Sequence, residues 1–336
     1  MVRTAVQLDV ASAESPTQEG RRWSGAVLRV LVAWAALFAL TFREWGRMAH
    51  QWWNIDTYSH ILLIPAIIAW LVWLQREELR KIRPSAGWIG VVWLALGLVV
   101  WLAGRALDIN LIAQAGTLAA FQGAAMAMIG TRASLVLAFP LFYSSFLVPF
   151  GDEIIPQLQA ITAHITTWLT IASGIETVSD GIYIDTPAGL FIVAEACSGV
   201  KFLIAMVTLG ILVAHACFTS WKRRFWFLFA CVVVPIIANG IRAWTTIFIA
   251  QYVGAEAAGS FDHIVYGWFF FGIVIALVLG VAWRWFQRDP EDAGFTAEQA
   301  AGYPAIESFD GAASAVRVGL AIAAVLIAFA VLVRLV

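Results

Sequence analysis

Long apolar runs recur along this chain, and no other feature constrains its fold as strongly. A run of about 17 apolar residues or more is long enough for a helix to cross the bilayer core. The candidate crossings are residues 24–42, 59–74, 88–104, 111–130, 133–150, 190–216, 225–250, 264–284 and 315–333, of which the second is the shortest. Only 13% of the 336 residues are charged, whereas globular proteins average about 25%. The sequence therefore predicts an all-α polytopic membrane protein with about eight core transmembrane helices and one C-terminal helix.

Polar segments divide the chain into four predicted parts. Residues 1–23 lack the apolar core and the cleavage site of a signal peptide, so we expect a disordered cytoplasmic tail. Residues 24–286 form the predicted transmembrane domain. Residues 287–314 are predicted to be a cytoplasmic linker, and residues 315–336 contain the C-terminal transmembrane helix.

The distribution of Lys and Arg predicts a cytoplasmic N-terminus. With that orientation, thirteen Lys or Arg residues lie in cytoplasmic segments and four lie in external ones. Membrane proteins carry their excess of positive charge on the cytoplasmic side. The first residues of segments 190–216 and 264–284 and the last residues of 225–250 are therefore predicted to be external.

The longest external segment, residues 151–189, carries five carboxylates and no Lys or Arg. Apolar residues recur at helical spacing over 154–171, which predicts an amphipathic helix along the membrane surface. Residues 181–193 alternate in polarity around the turn-forming stretch Asp185-Thr-Pro-Ala-Gly189, which predicts a short hairpin.

The short stretch Glu195-Ala-Cys-Ser-Gly199 lies at the external end of a predicted span. A thiol there can meet both water and an extended substrate, which makes Cys197 a candidate nucleophile. The alternative is that Cys197 is only a small buried hydrophobic residue. Cys217 and Cys231 fall towards the cytoplasmic side and are interpreted as structural. The three cysteines have neither the spacing of a zinc site nor that of a disulfide framework.

Two ionisable side chains share the external side with Cys197. Arg242 lies about 12 Å from the external end of its span at helical rise, and His263 precedes the next span. Intramembrane ionisable residues are costly and indicate either function or a pairing partner. Together the three residues can perform acyl transfer, with the thiolate attacking a carbonyl, the imidazole moving the proton and the guanidinium stabilising the oxyanion. Such a reaction needs no metal and no organic cofactor.

Each of these assignments has a structural alternative. Arg242 can pair with Glu195 or Asn239 to satisfy the helix bundle. His263 can cap a helix at the membrane interface. His60 also lies at an external helix end and is a rival base.

Four short motifs are found in this order along the chain. They are Tyr58-Ser-His60 followed by Pro65, Glu195-Ala-Cys-Ser-Gly199, Asn239-Gly-Ile-Arg242, and His263 followed by Gly267. Together they resemble the exosortase/archaeosortase family, and within it the bacterial exosortase A type. The resemblance covers about residues 25–285, and the last three motifs are specific in combination although none is specific alone.

The resemblance implies a membrane-embedded cysteine transpeptidase or protease with a Cys, Arg and His triad. By that likeness Cys197 is the nucleophile, Arg242 is the cation that positions the substrate or stabilises the transition state, and His263 is the acid/base. We expect the substrate-binding or supporting residues to be Glu195, Ser198, Asn239 and His60.

The resemblance also implies the partners and the location. Exosortases process exported proteins whose C-terminal signal consists of a Pro-Glu-Pro motif, a transmembrane helix and a basic tail, and they are linked to exopolysaccharide production in Gram-negative bacteria. We therefore expect an enzyme of the bacterial inner membrane, surrounded by the lipid bilayer, with its active site facing the periplasm and no nucleic-acid partner. Some exosortase A relatives continue into an extracytoplasmic domain, which is expected here, after Val336, only as a separate protein.

Two other functions fit parts of the pattern. A non-enzymatic transport or assembly component of polysaccharide export would line a polar path with Arg242 and Glu195 and would tolerate Cys197→Ser. A membrane acyltransferase would use a His-centred site and survive loss of the thiol. Whether water or an amine resolves the acyl-enzyme is left open.

Overall fold

Helices account for most of the chain, which confirms the predicted fold class. The computed structural model describes residues 16–261, 267–303 and 314–334 and is 80% helical. Within these residues, seven helical segments are long and apolar enough to cross a membrane. A further pair, Phe269–Trp285 and Pro290–Ala301, is bent by 71° and raises the number to eight if it forms one span. The chain is an all-α polytopic membrane protein to which a small sheet is added.

The helices follow one another in chain order. They are α1 Pro16–Asn54, α2 Ile64–Leu74, α3 Arg76–Arg80, α4 Trp88–Ala106, α5 Asn110–Ile129, α6 Thr131–Val136, α7 Ala138–Tyr143, α8 Ile155–Ala172, α9 Val200–Cys217, α10 Trp221–Val253, α11 Ala255–Phe261, α12 Gly267–Ala282, α13 Ala297–Ala301 and α14 Ala315–Leu332. Short 3₁₀ helices occupy Asp56–Leu63, Ser144–Leu147, Asp152–Ile154, Glu195–Cys197, Trp283–Trp285 and Pro290–Asp292. The strands are β1 Val178–Asp180, β2 Tyr183–Thr186 and β3 Gly189–Ile192.

One predicted span is not a continuous helix. Segment 133–150 is divided into α6, α7 and a 3₁₀ helix, so the prediction of a single helix there is wrong. Pro140 explains the break, because it has no N–H to donate and its ring would collide with the carbonyl of Val136 in an unbroken helix. Leu137 lies between the two short helices with φ −90° and ψ 14°.

Several boundaries also differ from the prediction. Residues 16–23 of the predicted tail belong to α1, whereas residues 1–15 lie outside the described part of the chain. The predicted span 190–216 begins as a helix only at Val200, because β3 and a 3₁₀ turn occupy the residues before it. In the predicted linker, two short helices lie within 290–301 and residues 304–313 are outside the described part.

The chain divides into two compact units, one formed by residues 1–46, 71–145 and 295–336, the other by 47–70 and 146–294. The first unit is built around α4 and α5. Glycines at seven-residue spacing (Gly90, Gly97, Gly104) face α5, and a Cβ at Gly97 would lie 2.5 Å from the backbone nitrogen of Ala120. Such small residues allow two membrane helices to pack backbone against backbone.

The second unit contains α8, α9, α10, α12 and the sheet. Helices α9 and α12 run in the same direction. The ring centroids of Phe202 and Phe271, near their first turns, are 4.5 Å apart, while Gln287, beyond the end of α12, donates its N–H to the Cys217 carbonyl at 2.8 Å. The first turns of both helices therefore lie at one end of this unit.

The sheet is antiparallel in the order β1-β2-β3, and the predicted hairpin is confirmed as β2 and β3. Thr186 pairs with Gly189 around a two-residue turn, and Tyr183 pairs with Ile192. One face packs on the helices, because buried Ile184 and Val193 share a cluster with Ala163 of α8 and Ile247 of α10. The predicted amphipathic segment 154–171 forms α8, whose position relative to a membrane surface stays a prediction.

Candidate functional site

Cys197 lies in a short loop between β3 and α9. The loop is a single 3₁₀ turn in which the Cys197 N–H donates to the Ala194 carbonyl at 2.9 Å and the Ser198 N–H donates to the Glu195 carbonyl at 3.1 Å. The Ser198 hydroxyl, which is buried, accepts the Val200 N–H at 3.3 Å. The side chain of Cys197 is partly exposed and that of Glu195 is exposed. This turn therefore presents the thiol at the start of a membrane helix.

Asn239 of α10 anchors this loop. Its side-chain amide donates to the Cys197 carbonyl at 2.8 Å and to the Thr162 hydroxyl of α8 at 3.0 Å. The Thr162 hydroxyl in turn donates to the Ser198 carbonyl at 3.4 Å. Asn239 is 4% exposed and Thr162 is 1% exposed, so these bonds form away from water. Residues of two helices, α8 and α10, thus hold the backbone that directly follows the thiol.

Gly199 allows Asn239 to come this close. Its φ of +81° is a left-handed conformation that glycine adopts without steric cost. A Cβ at this position would lie 2.7 Å from Cγ of Asn239. The last residue of the Glu195–Gly199 stretch is therefore needed both for the turn and for the contact with α10.

Arg242 lies one helical turn after Asn239, so both residues share a face of α10. Its guanidinium carbon is 5.9 Å from the centroid of the Phe202 ring, which stacks on Phe271 of α12. The start of α9, the second half of α10 and the first turns of α12 consequently meet around Phe202. The predicted base, His263, lies outside the described residues.

The rival base, His60, lies in the 3₁₀ helix Asp56–Leu63, which packs against α9. Its Nδ1 is 3.1 Å from the Thr57 carbonyl. That hydrogen bond requires the tautomer with a proton on Nδ1, which leaves Nε2 as the basic nitrogen. In the same helix, the Asp56 carboxylate is 3.8 Å from the Lys201 ammonium.

The other two cysteines lie elsewhere in the same unit. Cys217 and Cys231 are buried in a cluster with Phe218, Phe227 and residues of α12, towards the opposite end of α9 from Cys197. Among the described residues, no group of three or more His, Cys, Asp or Glu side chains is arranged to hold a metal ion.

Sequence reasoning missed the contribution of α8. Thr162, Thr166 and Thr170 recur every four residues and are all buried, and the Thr166 hydroxyl donates to the Gly240 carbonyl of α10 at 3.4 Å. A polar stripe at this spacing along an otherwise apolar helix is a signal of inter-helix hydrogen bonding that could have been found in the sequence.

The arrangement is suited to presenting a nucleophile. A partly exposed thiol is fixed through its own backbone, and a guanidinium lies on the anchoring helix one turn away. The family comparison adds to this geometry, since the model for transmembrane exosortases (Exosortase_EpsH) matches residues 52–280, more than half of the chain. The chain belongs to the transmembrane exosortase family.

Membership of this exosortase family confirms the family-level resemblance and indicates a membrane transpeptidase for sorting signals of exported proteins. Members are generally membrane cysteine peptidases or transpeptidases. The matched region contains α4, α5, α8, α9 and α10, and with them Cys197, Asn239 and Arg242. Neither the curated proteins nor the solved structures gave a match to this exosortase.

Proposed function

We propose that this exosortase, of the bacterial exosortase A type, is a cysteine transpeptidase or protease that cleaves Pro-Glu-Pro sorting signals of exported proteins. Cys197 is the nucleophile, Arg242 the oxyanion-stabilising cation and His263 the acid/base. The observation that carries the proposal is the hydrogen bond from Asn239 to the Cys197 carbonyl at 2.8 Å, because it places the thiol loop on the helix that bears Arg242. Ser198, Glu195 and His60 support the site.

The reaction proceeds in two steps. The Cys197 thiol gives its proton to His263, and the thiolate sulfur attacks the carbonyl carbon of the scissile bond. Arg242 stabilises the negative charge on the carbonyl oxygen, and the C–N bond breaks as His263 returns the proton to the leaving amine. The resulting thioester is resolved by water or by an acceptor amine, which regenerates the thiol.

Contacts at one end of the second unit support an external active site. The indole of Trp52, at the end of α1, donates to the Leu147 carbonyl at 3.0 Å, and Asp56 pairs with Lys201 at the start of α9. The end of α1 is therefore level with the start of α9. With the N-terminus in the cytoplasm, as the charge distribution favours, α1 crosses once and Cys197 faces the periplasm. The multi-pass enzyme then lies in the inner membrane of a bacterium.

The same orientation fits the proposed substrate. Its basic tail would stay in the cytoplasm, its helix would cross the bilayer, and its Pro-Glu-Pro motif would emerge level with Cys197. The acidic residue of that motif would meet Arg242. In this proposal residues 24–286 form the catalytic transmembrane domain, and residues 287–314 form a cytoplasmic linker to the last helix. The sorted proteins belong to an exopolysaccharide-producing system.

The test is cleavage of a tagged reporter that ends in a Pro-Glu-Pro motif, one apolar helix and a basic tail, co-expressed with the enzyme. Wild type should shorten the reporter, whereas Cys197→Ala, Cys197→Ser and Arg242→Ala should not. Cys217→Ala, a buried thiol away from the site, is the matched cysteine control.

A second pair of variants assigns the base. His263→Ala should abolish cleavage, and His164→Ala, an exposed histidine on α8, should not. If His60→Ala abolishes cleavage and His263→Ala does not, His60 is the base. Cleavage that survives Cys197→Ala refutes the nucleophile assignment, and a polysaccharide-export phenotype that tolerates Cys197→Ser favours a transport component instead.

A further inference from the structure

Among the described residues, no strand pairs with one edge of β3, the strand that leads into Cys197. In the order β1-β2-β3, no other described strand lies beyond β3. The Val193 N–H donates to the Ile182 carbonyl at 2.9 Å, and hydrogen-bonded pairs alternate along an antiparallel ladder, so Phe191 and Gly189 also bond towards β2. The backbone groups of Leu190, and the N–H of Ile192, therefore point away from the sheet.

The two edges of this sheet differ in the way they are protected. The outer edge of β1 ends in Asp180, and natural proteins commonly use charges of this kind to block pairing with another chain. The edge of β3 reads Gly-Leu-Phe-Ile and has no charge. Its Leu190 and Ile192 side chains are 61% and 52% exposed. The β1 edge of the sheet carries a charge that blocks pairing, whereas the opposite edge, formed by β3, does not. This difference indicates that β3 pairs with a partner.

The partner must supply an extended backbone. Lipid cannot satisfy the N–H and carbonyl groups of an open edge, whereas another polypeptide in extended form satisfies them at every second residue. The edge is also held in place, because Gln159 of α8 donates to the Val193 carbonyl at 2.7 Å, and Ile184 and Val193 are buried against α8 and α10.

The position of β3 identifies this polypeptide as the substrate. Only residues 193–196 separate the strand from Cys197, and the same helices that hold the sheet hold the thiol loop. We propose that the outer edge of β3 binds the substrate segment next to the scissile bond as a fourth strand and so delivers that bond to Cys197. This inference rests on the proposed function and adds the mode of substrate binding to it.

Proline variants test the edge with purified enzyme and the reporter in detergent micelles. Ile192→Pro removes an N–H that points away from β2, which an edge strand tolerates. Because the substrate then loses one backbone hydrogen bond, KM should rise about fivefold. The value of kcat and the rate at which iodoacetamide alkylates Cys197 should stay unchanged. Ser179→Pro, which makes the equivalent change on the outer edge of β1, should leave KM unchanged. Ile192→Val, which keeps the N–H, should raise KM less than Ile192→Pro does.

The outcomes separate this inference from the proposed function. If cleavage depends on Cys197 but Ile192→Pro and Ser179→Pro have the same KM, only the β3 inference is wrong. If cleavage does not depend on Cys197, the proposed function is wrong.

Photocrosslinking decides the binding mode without cleavage and without a proline. Benzoylphenylalanine is introduced at Leu190, or at Val178 on the far edge as a control, in the Cys197→Ala background. The reporter should be captured from position 190 and not from position 178. Equal capture from both positions, capture of a second copy of the enzyme, or capture of lipid alone would each overturn the inference.

Discussion

Replacing Asn239 by alanine should separate the thiol loop from its anchor. The variant loses the bond to the Cys197 carbonyl at 2.8 Å and the bond to the Thr162 hydroxyl at 3.0 Å. Each buried neutral hydrogen bond contributes about 1 kcal/mol net, so the anchored loop loses about 2 kcal/mol. If the reactive geometry requires the anchored loop, kcat/KM falls about 30-fold.

Two threonine variants provide matched controls on one helix. Thr162→Val removes the hydroxyl that accepts from Asn239 and donates to the Ser198 carbonyl, so it also loses two bonds and should lower kcat/KM about 30-fold. Thr166→Val makes the same change one turn later, at an equally buried position whose hydroxyl donates to the Gly240 carbonyl. It should lower stability by about 1 kcal/mol, for the bond to Gly240, and leave kcat/KM per folded enzyme close to wild type.

The assay is the initial rate of reporter cleavage by purified enzyme, divided by the folded fraction from size exclusion and thermal unfolding. The rate of Cys197 alkylation across pH reports on the loop independently of the substrate. Cleavage by Asn239→Ala within twofold of wild type would refute the anchoring role. An equal loss in Thr162→Val and Thr166→Val would show that the effect is general destabilisation of α8 packing.

Two further predictions concern backbone strain and pH. Gly199→Ala should lower activity more than Gly181→Ala does. Both glycines have positive φ, but only a Cβ at position 199 would collide with Asn239. Equal rates of the two variants in the cleavage assay would contradict this prediction. The N–H of Ala297 donates to Glu78 at 2.8 Å and lowers the pKa of that carboxyl below its ordinary 4.5. The contact therefore stabilises the protein above about pH 4.5 and is lost as pH falls through the lowered pKa, so the Tm difference between wild type and Glu78→Gln should shrink towards pH 3. An unchanged difference between pH 7 and pH 3 would rule out this linkage.

Local signals in the sequence predicted much of the fold. The hairpin 181–193 was predictable because alternation and Thr186-Pro-Ala-Gly189 turn chemistry are both local. The break in 133–150 was missed because hydropathy does not register Pro140, although its missing N–H prevents a continuous helix. The early start assigned to the span 190–216 has the same cause, since apolar β3 residues cannot be told from helix by hydropathy alone.

The site was predictable only in part. Cys197 and Arg242 could be chosen as candidate reactive side chains from residue type and position, and in the structure α9, which follows Cys197, meets α10, which bears Arg242, around Phe202. The hydrogen bond between Asn239 and Thr162 joins residues 77 positions apart, and nothing local specifies that contact. The role of His263 stays a prediction from the sequence, because this residue lies outside the described residues.

The proposed mechanism passes through a thioester on Cys197, and trapping this thioester is the most direct measurement. Wild-type enzyme is mixed with the reporter, quenched with acid within the first turnover, digested and analysed by mass spectrometry. We predict that the peptide containing Cys197 carries the N-terminal product of the reporter, that hydroxylamine releases it, and that Cys197→Ala forms no adduct. An adduct on another residue, or reporter cleavage by Cys197→Ala, would contradict the account.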